Sequence, residues 1–82
     1  MIDVRHAVMA SQQYMKSLSD LMPGGNLRLE ETEYDDESKR WLITVSYVPG
    51  PYGDILLGSA SRIYKRLVVD AADGNVLAMK NR

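Results

Sequence analysis

The run Arg40–Val48, RWLITVSYV, constrains the fold more than any other stretch. Trp41, Ile43, Val45 and Tyr47 fall on one side at period two, and Leu42, Thr44, Ser46 and Val48 on the other, with β-branched and aromatic types at most positions. Such a segment is a strand. Both of its faces are at least partly apolar, so it belongs inside a sheet with something packed on its better face. At 82 residues the chain has room for one domain, residues 1–82, with a single modest core.

The cover comes from the N-terminal segment. Val4, Val8, Ser11, Met15, Leu18 and Met22 recur at helical spacing, flanked by Ala7, Tyr14 and Leu21, which predicts an amphipathic helix over about Val4–Met22. Asp3 is placed as its N-cap and Ile2 as a staple. Pro23-Gly24-Gly25 stops it. Arg5, Gln12, Gln13, Lys16, Ser19 and Asp20 form the solvated face. His6 has no Cys or second His beside it and reads as an ordinary first-turn residue.

Asn26–Tyr34 is expected as the first strand, anchored by Leu27 and Leu29 and wet on one face. Asp35-Asp36-Glu37-Ser38-Lys39 then forms a polar hairpin turn into Arg40–Val48. The acidic residues Glu30, Glu31, Glu33, Asp35, Asp36 and Glu37 lack the ligand spacing and central glycine of an EF-hand loop. Strand alternation sends Glu30 and Glu31 to opposite faces, so the expectation is a solvated strand and loop, with a patch for a basic partner as the second reading.

Pro49-Gly50-Pro51-Tyr52-Gly53-Asp54 breaks the strand pattern and opens a long connection to about Ser61. Its glycines match no phosphate-binding signature. Ile55, Leu56 and Leu57, with Tyr52 as an aromatic companion, must tuck under the sheet, cover its end or meet a partner. Arg62–Asp70 and Asn75–Lys80 resume the sheet, joined by a turn at Asp73-Gly74. The expected fold class is therefore α+β: one N-terminal helix packed on a four-stranded antiparallel sheet, in the order helix, strand, strand, long loop, strand, strand.

Ten basic and eleven acidic residues leave no electrostatic footprint for nucleic acid. No stretch approaches the roughly 20 apolar residues of a membrane span. With no Cys and an N-terminus unlike a signal peptide, the expectation leans towards the cytoplasm, although exported bacterial proteins also lack Cys. Ser59, Ser61, Asp54 and His6 carry no nucleophile motif, and Glu31 with Glu33 lacks a cleft in so small a chain. The expectation is a protein that is not an enzyme and that takes no cofactor or metal.

The leading helix, the acidic strand, the Trp41-containing strand and above all Tyr64–Leu77, with the pattern Y-x-x-x-x-V-D-x-x-x-G-x-V-L, resemble the PepSY-like domains. That resemblance implies a small non-catalytic module, of a family in which some members are thought to inhibit or regulate peptidases. It implies structural roles for Asp70 at the end of the third strand and Gly74 in the turn. The Pro49–Ser61 connection is longer than the usual family link.

Two expectations about partners follow. As a binding or regulatory module, the chain would dock another protein through a sheet face or the Tyr52–Leu57 loop. As a structural homodimer, it would use the same surfaces on a second copy, because one helix covers one sheet face and leaves the row of Leu42 and Val48 open. The candidate interface residues are Leu42, Val48, Tyr52, Ile55, Leu56, Leu57 and Tyr64, and Trp41 is expected to be a core residue.

Overall fold

The computed structural model describes residues 1–19, 21, 24–49 and 62–82. Among them are one helix, α1 (Val4–Ser17), and four strands, β1 (Gly24–Asp35), β2 (Arg40–Pro49), β3 (Ile63–Asp70) and β4 (Val76–Asn81). The strands form one antiparallel sheet in the order β1-β2-β3-β4. The expected α+β class and element order are borne out. The connection that carries Tyr52, Ile55, Leu56 and Leu57 lies outside the described residues.

Asp3 caps α1, its side chain accepting from the His6 amide at 2.9 Å. The helix ends earlier than the apolar repeat suggests. From Leu18 onward the amides bond three residues back, Leu18 to Met15 and Ser19 to Lys16, each at 3.2 Å. Ser17 helps to close it, since its hydroxyl donates to the Tyr14 carbonyl at 2.7 Å and so competes with the helical ladder. Leu21, expected on the buried stripe, is exposed.

The stripe that meets the sheet is narrower than expected and is centred on Ala7, Ser11 and Met15, four residues apart. Val8 and Tyr14 pack beside it, while Val4 is exposed. Ala7 and Ser11 are both fully buried and small, which lets the helix lie close to the strands. Buried Ser11 is satisfied by donating to the Ala7 carbonyl at 2.9 Å.

Opposite the helix, the β2 row expected to be its partner is the partner. Ile43, Val45 and Tyr47 join Leu67 and Val69 of β3 in the core, because the register places Trp41 against Val69, Ile43 against Leu67 and Tyr47 against Ile63. Burying each such side chain is worth about 1.5 to 3 kcal/mol. Trp41 sits at the rim of this core and is half-buried rather than central. Its indole N–H donates to the Ile2 carbonyl at 3.2 Å, and its ring lies 4.9 Å from that of Tyr34. Ile2 in turn donates its amide to the Ala71 carbonyl at 2.7 Å, so the N-terminus is tied to the sheet rather than only stapled to its own helix.

Three irregularities interrupt the alternation. On β1 the pairing slips between Gly25 and Arg28, where Asn26 has φ 59°, and again between Leu29 and Glu31; on β4 it slips at Leu77, between the partners of Val68 and Val69. Each is a bulge that inserts one extra residue. Val76 and Met79 therefore both pack towards the helix side while Ala78 pairs with Val68, which splits the expected pairs Val76-Ala78 and Leu77-Met79.

The turns follow from side-chain chemistry. Asp35 accepts from the Glu37 amide at 3.2 Å and the Ser38 hydroxyl at 2.7 Å, and Lys39 takes φ 58° to close the hairpin. At the other hairpin Asp70 accepts from the Ala72 amide at 2.8 Å, and its carbonyl accepts from Gly74, also at 2.8 Å. Gly74 has φ 82°, in the left-handed region that glycine enters without a steric penalty.

Candidate functional site: the helix-free face of the sheet

Among the described residues no helix lies on the sheet's second face, and the register fixes what stands there. One row runs Glu33, Leu42, Val68, Ala78; the next runs Glu31, Thr44, Arg66, Lys80; a third contains Arg28, Ser46 and Tyr64. In the first two of these rows acidic side chains stand on β1 and basic ones on β3 and β4, with small and apolar groups between them, while Arg28 puts a basic residue on β1 in the third. Lys65, adjacent in sequence to Arg66, points to the opposite face and pairs with Asn81. Alternation thus separates Lys65 from Arg66, although the two are adjacent in the chain.

The bulge at Glu30 overturns the expectation that Glu30 and Glu31 point apart. Leu29 is paired with Val45 on the helix side, yet Glu31 is paired with Thr44 on the helix-free side, and the extra residue Glu30 reaches that same side to accept from the Ser46 hydroxyl at 2.6 Å. An inserted residue changes the parity of everything after it. Glu30, Glu31 and Glu33 accordingly share one face, and nothing in their one-letter pattern marks where the slip falls.

Ser46 is the centre of a polar network. Besides donating to Glu30, it accepts from Arg62 Nε at 2.9 Å, and the same guanidinium donates to the Ser46 carbonyl at 3.3 Å and to the Asn26 carbonyl. Arg62 is thereby fixed across β2 and reaches β1. From beyond the opposite edge strand, the Arg82 guanidinium meets Glu31 at 2.6 Å, so the two side chains together span the sheet from β4 to β1. Both partners of that pair remain well exposed, which limits its worth to about 0 to 1 kcal/mol.

Of the candidate interface residues, Leu42 is half-buried and Tyr64 is exposed, both on this face. Val48, expected to be open, is 3% exposed, and Val68, the partner of Leu42, is 7% exposed. The apolar row of Leu42 and Val48 is therefore less open than expected. Val68 is flanked in its row by Leu42 and Ala78, and long polar side chains lie over Thr44 and Ser46, which are buried with all their polar side-chain atoms satisfied.

Among the described residues this face holds a shallow groove of about 340 Å³ lined by Glu31, Thr32, Glu33, Leu42, Thr44 and Arg66. It sets two carboxylates against one guanidinium over a floor of Leu42 and Thr44, an arrangement suited to a surface that carries both signs of charge. Arg66 was not among the candidate site residues, because the spacing along β3 alone does not show which residues of β1 and β2 stand opposite it.

His6 is exposed at the first turn of α1, and a side-chain carbon added at Gly74 would lie 3.5 Å from its Nε2. Among the described residues no group of three or more His, Asp or Glu side chains is arranged to hold a metal ion, and no helix is long and apolar enough to cross a membrane. Comparison with known proteins adds no relative to this picture, since no family model, curated protein or solved structure matches the chain.

Proposed function

We propose that this domain is a small non-catalytic protein-binding or regulatory module of PepSY-like type, acting through the helix-free face of its sheet. The observation that carries the reading is the groove in which Glu31 and Glu33 face Arg66 across Leu42 and Thr44. Opposed charges around a small apolar floor favour register and partner choice over deep burial of a small molecule. The PepSY-like part draws its support from the Tyr64–Leu77 pattern and from a helix that precedes the sheet. In its more specific form the partner is a peptidase that the module restrains.

The test is capture from native extract on the immobilised chain, run beside Arg66→Glu and Leu42→Lys. One heterologous protein retained by the wild type and lost on both variants is the expected result, and slower peptide hydrolysis by that protein would establish the inhibitory form. Equal retention on all three chains overturns the groove as the binding surface.

The second reading is a homodimer, favoured by exposed Tyr64 and half-buried Leu42 on the same face. Sedimentation across micromolar concentrations decides it. A dimer that Leu42→Lys weakens without loss of helix and sheet content supports the homodimer, and a strictly monomeric wild type removes it.

A further inference from the structure

The edge strand β1 differs on its two sides. Towards the helix it borders an open apolar groove of about 410 Å³ lined by Val4, Arg5, Val8, Met9, Leu29 and Thr32. Val4, Met9 and Leu29 are 38%, 53% and 45% exposed, an unusual amount of apolar surface for one strip of so small a domain. Away from the helix the same strand presents Glu31 and Glu33. Between the bulge at Glu30 and the hairpin, Glu31–Asp35 pairs regularly with Arg40–Thr44, and among the described residues β2 is the one strand paired with it. Alternate backbone N–H and C=O groups of that run therefore point away from the sheet.

We propose that this edge takes up an extended segment of another polypeptide as a fifth strand, one in which apolar residues alternate with lysine or arginine. The inference rests on the reading of the domain as a protein-binding module and names the surface and the partner's chemistry. Main-chain hydrogen bonds to Glu31–Asp35 supply the adhesion, and alternation supplies the selectivity. A residue beside Thr32 points into the groove under Val4, Val8 and Met9. Its neighbours stand beside Glu31 and Glu33 on the other face, where cationic groups are favoured by cross-strand pairing. Among the described residues Glu33 has no ionic partner, and Glu31 has one exposed partner, Arg82.

A second copy fits this edge less well. Two β1 edges meeting about a two-fold axis would bring Glu31 and Glu33 of one copy near those of the other, a like-charge arrangement that opposes pairing. The β4 edge is interrupted by the bulge at Leu77, and Lys80 is the sole basic residue in its regular run Ala78–Asn81.

The experiment is a titration of the isotopically labelled full chain with a hexapeptide of alternating lysine and valine, followed by backbone amide shifts and hydrogen exchange. An alternating glutamate and valine hexapeptide is the control. The expected result is slowed exchange at Glu31–Asp35, weaker binding of the acidic peptide, and a loss of about three- to fivefold in affinity in Glu33→Lys, the range of one exposed ion pair. Met9→Lys, at an exposed position, should weaken binding comparably. Equal binding of both peptides, indifference to Glu33→Lys, or absence of binding at millimolar peptide overturns the inference. Perturbation confined to Leu42 and Arg66 also overturns it, while leaving the binding-module reading in place. Self-association through β1 without peptide would identify a second copy as the occupant and overturn it as well.

Discussion

The Trp41 indole N–H donates to the Ile2 carbonyl at 3.2 Å, joining the second strand to the residue just before the helix cap. Because Ile2 also donates to the Ala71 carbonyl, that one residue links the chain's start to the beginning of the β3–β4 turn and to β2. Trp41 thus acts as a clasp at the core's rim. Trp41→Ala should cost about 2 to 3 kcal/mol, below the 3 to 5 kcal/mol of a fully buried aromatic. Trp41→Phe, which keeps most of the ring and loses the hydrogen bond, should cost about 1 kcal/mol. Denaturant melts compare the two, and a loss in Trp41→Ala no greater than in Trp41→Phe would remove the packing role.

Gly74 lies at φ 82° beneath His6 and Ile2. An added Cβ would meet His6 Nε2 at 3.5 Å and Ile2 Cδ1 at 3.6 Å, ordinary contacts, so the penalty of Gly74→Ala comes from the backbone. It should be about 1 to 2 kcal/mol. Gly25→Ala, with nothing within 4 Å of the new carbon and no positive φ, is the control and should leave Tm nearly unchanged.

Ala7 is fully buried where the helix meets the sheet, on the stripe it shares with Ser11 and Met15. Ala7→Leu should push the helix off Ile43 and Val45 and cost about 1 to 3 kcal/mol through overpacking. Ser11→Ala removes a hydroxyl satisfied within the helix itself and should change stability by less than about 1 kcal/mol. Thermal melts that rank Ser11→Ala as the more damaging change would contradict the close-approach account.

The Asp35–Lys39 turn should respond to pH at both extremes. The Ser38 hydroxyl bonded to Asp35 holds its carboxyl below the ordinary 3.8, aided by the Glu37 and Ser38 amides and the Arg40 charge. A depressed carboxylate stabilises the turn above its unfolded value and loses that contribution as pH falls through the folded one, so the acid loss lies below 3.8. The Asp36 carboxylate bonded to Lys39 raises that ammonium above 10.5, and its contribution is complete below 10.5 and lost as pH rises past the folded value. Carboxyl NMR titration should give an Asp35 midpoint under 3.8 that rises in Ser38→Ala; an unchanged midpoint would discard Ser38 as the cause.

The sequence by itself determined the elements and most of their faces. Period-two placement of Trp41, Ile43, Val45 and Tyr47 was enough to identify both the strand and its buried side, and Asp3 marked where the helix begins, because these are local preferences of the chain. The helix's true end was less legible, since Leu18 and Leu21 continue the apolar repeat while the Ser17 hydroxyl turns back on the ladder. Only the tertiary structure decided the site. Whether Glu30 and Glu31 share a face depends on a slip in how β1 pairs with β2, and the same kind of slip at Leu77 placed Val76 and Met79 together on the core side. A bulge is a property of two paired strands, stabilised by contacts such as Glu30 with Ser46 that lie far apart in the chain, so the spacing of residues along one strand carries no record of it.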